Sequence, residues 1–175
     1  MKVKNRAICS AFFAYILLST TAFACDVPDS VMSYRPSKKL VRVKMRETSK
    51  GLMPERLPAF DVSLKDLRRS PGRDAVPCGE LGSIKVQIDW PASNLYRLNE
   101  VGFYFRIVDA VNPVDIFGAG PVVGKIEGNS MQLIFVFDDE EPKRREPWNL
   151  TVEAFAVNAM MEIGPAVRFQ LKSDD

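Results

Sequence analysis

The groups in this 175-residue chain that can do chemistry are few, and most are carboxylates. Asp138-Asp139-Glu140-Glu141 is the densest cluster, and several adjacent oxygens are what Ca²⁺ takes as ligands. Lys143, Arg144 and Arg145 follow at once, so the run reads first as a self-neutralising solvated turn, with calcium left open. A hydrolase working through a carboxylate pair needs two acids facing each other across a cleft, not neighbours on one loop. Asp89, Asp109 and Asp138 are the acids such an enzyme would draw on. The chain has no histidine. Ser-His-Asp and Cys-His catalysis both rely on an imidazole to carry the proton, so neither is available. The commonest ligand of zinc is missing as well, and no metal site is expected. Gly118-Ala-Gly120-Pro121 lacks the lysine and helix of a phosphate-binding loop and reads as a turn. Neither a catalytic residue nor a cofactor is expected.

Three cysteines complete the inventory: Cys9, Cys25 and Cys78. Lys2, Lys4 and Arg6 precede an apolar run from Ala7 to Leu18, and small residues end at Ala22-Phe23-Ala24. That order is a secretory signal peptide over 1–24, with cleavage before Cys25. The apolar run is too short to cross a bilayer, and no transmembrane segment is expected in the mature chain. Export predicts a periplasmic or extracellular protein in which Cys25 and Cys78 form a disulfide. The bridge closes a 53-residue loop, worth about 4 kcal/mol in the chain-entropy model. The competing reading is a lipid anchor on Cys25, although Ala22 stands where bacterial lipoproteins usually carry Leu.

Two stretches are candidates for recognition. Arg42, Lys44 and Arg46, with Lys38 and Lys39 before them, make a basic stripe suited to an anionic surface. A charged edge strand guarded against pairing would look the same. Residues 25–79 hold 12 basic and 7 acidic side chains, and residues 80–175 hold 9 and 15. The mature chain is thus nearly neutral, and no nucleic-acid partner is expected. The second stretch is Met160, Met161 and Ile163, bulky apolar residues in a loop, where polar residues are usual. They read either as a recognition loop or as a plug over the end of a core.

The elements that would position these residues are strands. Ile84, Val86, Ile88 and Trp90 alternate with polar residues, as do Val101, Phe103, Phe105 and Ile107, and Met131, Leu133, Phe135 and Phe137. Each alternation is the mark of a strand with one buried face. Leu150, Val152, Ala154 and Ala156, then Val167, Phe169 and Leu171, form a closing hairpin. A short strand is expected within Pro121–Ile126. Upstream, 26–37 reads as an irregular arm, Leu40–Arg46 as a strand, 48–58 as a loop, Phe60–Leu64 as a short strand and Leu64–Arg69 as a helical turn.

Ser83-Ile-Lys-Val-Gln-Ile-Asp-Trp90-Pro resembles the second strand of fibronectin type III domains, where a core Trp is typical. Val101-Gly-Phe-Tyr-Phe-Arg106 is similar to their third strand, and Leu150-Thr-Val-Glu-Ala-Phe-Ala-Val-Asn158 to the penultimate one. Gly164-Pro165 falls at the entry to their last strand, while Leu150 stands in place of the family's corner tyrosine. The resemblance implies an all-β fold: a fibronectin III-like or immunoglobulin-like antiparallel β-sandwich over 77–173, with an N-terminal extension over 25–76. The function expected of it is non-enzymatic binding of a protein or cell-envelope component. A small inhibitor or immunity protein against a secreted enzyme is the alternative, and a carboxylate-dependent hydrolase the contrasting class.

Overall fold

The computed structural model describes residues 31–51, 56–72, 74, 78–92, 96–109 and 116–173. The expected signal peptide, its cleavage site and Cys25 lie outside them. The chain folds as an all-β protein of two antiparallel sheets. Strands β2 (Asp61–Arg68), β3 (Leu81–Asp89), β6 (Lys125–Glu127) and β7 (Ser130–Asp138) form one, in the order β2-β3-β7-β6. Strands β1 (Met32–Ser33), β4 (Gly102–Ile107), β5 (Val122–Val123), β8 (Asn149–Val157) and β9 (Ile163–Lys172) form the other, in the order β1-β5-β4-β8-β9.

The strict alternations become the facing surfaces of the core. β3 and β7 pair from Leu81↔Asp138 to Asp89↔Ser130 without a break. Ile84, Val86 and Ile88 are buried, as are Met131, Leu133, Phe135 and Phe137. In the other sheet Phe103 pairs with Ala156 and Phe105 with Ala154. The small residues on β8 leave room for the rings on β4, which reach across to the first sheet. Phe105 meets Phe135 at 5.2 Å and Phe117 at 5.3 Å. Trp90 packs on Phe60 and Phe103, with centroids 6.0 and 5.9 Å away. Its indole N–H donates to the Tyr96 carbonyl at 2.8 Å, which removes the cost of burying that polar group.

Four upstream and connecting segments depart from the sequence reading. Leu40–Arg46 is not a strand but lies within helix α1 (Lys38–Ser49). Ser37 caps it by accepting from the Leu40 N–H at 3.2 Å, and Pro36 before the cap fits a helix start. Lys, Arg, Leu and Met are all good helix formers, so seven residues of alternation did not decide the period. Leu64–Arg69 is not a helical turn but the second half of β2. A bulge between Leu64 and Asp66 restores Leu67 to the inner face opposite Ile84. That bulge puts Leu64 and Leu67 three apart, a spacing that imitates a helix. The arm over 26–37 is not wholly irregular: Met32–Ser33 pairs with Val122–Val123. Tyr34 lies over Gly102, where a Cβ would come within 2.4 Å of its ring, and its hydroxyl donates to the Glu100 carbonyl at 2.5 Å.

The fourth departure is Pro121–Ile126, which divides between the sheets as β5 and β6. Gly124 is the crossing point, and a Cβ there would sit 2.0 Å from the Gln132 carbonyl oxygen. Trp90→Ala should destabilise the protein by about 3–5 kcal/mol, the usual cost of deleting a large buried aromatic. Chemical denaturation measures it; a loss below about 1 kcal/mol would contradict this packing.

Candidate functional site

The β8–β9 connection is the turn Asn158-Ala159-Met160-Met161-Glu162, and one side chain organises it. Asn158 is buried. Its Oδ1 accepts from the Met160 N–H at 2.9 Å and the Glu162 N–H at 3.0 Å. Its Nδ2 donates to Glu162 Oε2 at 2.6 Å and to the Tyr96 hydroxyl at 3.4 Å. The backbone adds Met161 N–H to the Asn158 carbonyl, 3.0 Å, and Asn158 N–H to the Glu162 carbonyl, 3.1 Å. Every hydrogen-bonding atom of the amide is thus committed to holding the turn.

The three apolar residues expected to act together are divided by this turn. Met160 is half-buried, whereas Met161 and Ile163 are 54% and 66% exposed. Ala159 supplies the buried contact instead. Met161 has φ +62°, a left-handed conformation that turns normally assign to Gly or Asn. Beside it lies a cleft of about 590 Å³, lined in part by Leu57, Glu162, Ile163 and Pro165. The backbones approach closely here, since a Cβ on Gly164 would fall 2.9 Å from the Leu57 Cβ.

The basic residues lie on α1, where the helical period regroups them. Lys38, Lys39, Arg42 and Arg46 are exposed and share about a third of the circumference. Lys44 turns the other way: its Nζ lies 5.3 Å from the Tyr96 ring centroid and 3.1 Å from Glu47. Arg42 and Arg46 therefore share a face and Lys44 does not. Tyr96 links the two candidate regions, its ring beneath Lys44 and its hydroxyl bonded to Asn158. Sequence reasoning passed over Tyr96 and read Asn158 only as the end of a strand. An Asn at a strand end before a short loop is the available signal for a side chain that closes its own turn.

The acidic run divides by role. The Asp139 side chain is 3% exposed and makes a two-point pairing with Arg69, whose Nε and Nη2 each stand 2.8 Å from a carboxylate oxygen. The Ser70 N–H adds a third bond at 2.8 Å, and Arg69 stacks 4.1 Å from the Trp148 ring centre. Asp138, Glu140 and Glu141 are exposed, and Glu141 pairs with Arg144 at 3.6 Å. No group of three or more potential metal ligands occurs among the described residues.

The other acids are likewise engaged with neighbours. Asp89 accepts from Ser130 at 2.6 Å and Gln87 at 2.7 Å, and these bonds hold its carboxyl below the usual range. Asp109 accepts from the Thr151 hydroxyl and N–H, with the same effect. Asp89 and Asp138 stand at opposite ends of the β3–β7 pairing, about 27 Å apart at strand spacing and too far to share a substrate. Cys78 adopts φ +63°. Comparison with family models, with curated proteins and with solved structures finds no match.

Two predictions follow from these contacts. Burial would raise the Asp139 carboxyl, but its bonds to Arg69 and Ser70 and the Arg69 charge outweigh burial and hold it low. Its contribution is then full above the unfolded value near 3.9 and is lost as pH falls through the lower folded value. Asp139→Asn should cost about 3–5 kcal/mol at neutral pH, with the gap from wild type narrowing below about pH 4. Denaturation across pH measures this; a gap that does not change with pH would contradict an ionised pair. At the turn, Met161→Gly should leave stability unchanged or raise it by up to about 1 kcal/mol, because the left-handed backbone is relieved. A loss of similar size in the same measurement would mean that the Met161 side chain is packed.

Proposed function

We propose that this chain is an exported, non-enzymatic binding module of the fibronectin type III or immunoglobulin-like kind. It acts in the periplasm or outside the cell and recognises a protein or cell-envelope component through the β8–β9 turn. Supporting the family reading, β2-β3-β7-β6 and β5-β4-β8-β9 correspond to the A-B-E-D and C′-C-F-G sheets of immunoglobulin-like sandwiches. β3, β4, β8 and β9 are then the second, third, penultimate and last strands to which their sequences are similar. Supporting export is the N-terminal sequence pattern; a Cys25–Cys78 disulfide is proposed with it.

One observation carries the binding reading. Met161, on the turn that the Asn158 side chain bridges by hydrogen bonds, and Ile163, the first residue of β9, are both exposed. A rigid loop loses little conformational freedom on binding, so its apolar area converts more fully into affinity. Methionine adds a polarisable, adaptable contact. Core residues would not be left in solvent at a position where the backbone is also strained.

Met161→Ser/Ile163→Ser tests the proposal. Both side chains are already largely in water, so the melting temperature should change by no more than about 2 °C. Capture of the partner from envelope extracts of cells that export the chain should fall at least about tenfold. Undiminished capture, or a large fall in melting temperature, would reject the turn as the binding site.

A further inference from the structure

We infer that the turn and helix α1 form one surface that docks on an anionic lipid bilayer. The inference rests on the binding-module reading and names its partner. Physical continuity comes first: Tyr96 joins Lys44 of α1 to Asn158 at the base of the turn. Both regions are therefore anchored on one buried residue, the helix through the face opposite its basic arc, which leaves that arc outward, and the turn through Asn158.

The chemistry of the helix points the same way. None of its twelve residues is buried, and a helix this short is marginal without tertiary support. Lys38, Lys39, Arg42 and Arg46 crowd one exposed face. Glu47, the sole acid of the helix, lies away from them and pairs with Lys44. Val43 and Met45, 43% and 55% exposed, lie on either side of the basic arc. They give the basic arc an apolar side chain at each edge, and the anchored turn adds the exposed Met161 and Ile163.

That combination suits a bilayer more than a folded protein. Cations meet headgroup phosphates while Met, Val and Ile enter the boundary between headgroups and acyl chains. The helix presents a convex face, to which a deformable lipid surface conforms. A protein would need a concave acidic face with apolar pockets set to match.

The test is co-sedimentation of the chain recovered after export with phosphatidylcholine vesicles, with and without about 30% phosphatidylglycerol. Binding is expected only to the anionic vesicles at about 0.1 M salt, falling about tenfold at about 0.5 M. Lys39→Glu/Arg42→Glu/Arg46→Glu should reduce it to a similar degree, and Met161→Ser/Ile163→Ser severalfold. Melting curves confirm that each variant is folded, and the salt series on the unaltered chain is independent of that check. No binding to anionic vesicles, or binding indifferent to either variant, would overturn the inference. Capture of a protein through Met161 and Ile163 without vesicle binding would also overturn it, while leaving the binding-module reading standing.

Discussion

Tyr96 is the residue on which the two exposed regions and the core all converge. Its carbonyl takes the Trp90 indole N–H, its hydroxyl takes the Asn158 amide, and its ring carries Lys44. Each contact uses a different part of the residue, so none competes with another. Through Trp90 it is fixed to the aromatic cluster of Phe60 and Phe103, which closes the space between the sheets. A loop and a helix with little buried surface of their own thereby inherit a position from the core. The rigid part is buried, and the exposed loop and helix need few further contacts to keep their place.

Several carboxylates of the chain are engaged with neighbouring side chains. Asp139 neutralises Arg69 beneath the Trp148 ring, Glu153 sits between Arg106 and Arg168, and Asp89 and Asp109 hold neighbouring polar side chains. Charges satisfied in this way steady the backbone. The uncompensated features are of another kind: apolar side chains in water at the turn, and a helix face of one sign.

Strands with one buried face were legible where the alternating apolar positions hold mostly β-branched and aromatic residues, which favour strands. Ile84 to Trp90 and Met131 to Phe137 occupy the faces their pattern implies. Two readings failed because short windows carry two periods at once. Leu40 to Arg46 alternates, yet the half-buried positions are Leu40, Val41, Lys44 and Glu47, a helical spacing that appears only with Glu47 included. Leu64 and Leu67 mimic a helix because a bulge displaced the pattern by one residue. The crossing at Gly124 was invisible because it depends on a carbonyl eight residues away in sequence. At the turn, the apolar residues were visible as an oddity of composition. Their division into packed Ala159 and exposed Met161 and Ile163 follows from the Asn158 hydrogen bonds, which composition does not encode.

The central claim is that Asn158 holds the turn in one shape before any partner arrives. Amide hydrogen exchange in the free protein tests it directly, because the Met160 and Glu162 N–H groups both end on the Asn158 side chain. The account predicts that these two amides exchange at least about tenfold more slowly than an unprotected chain. It also predicts that Asn158→Ala abolishes their protection while the amides of the β8–β9 ladder remain slow. Exchange at the unprotected rate in the unaltered protein would mean that the turn is not pre-organised, and would contradict the account.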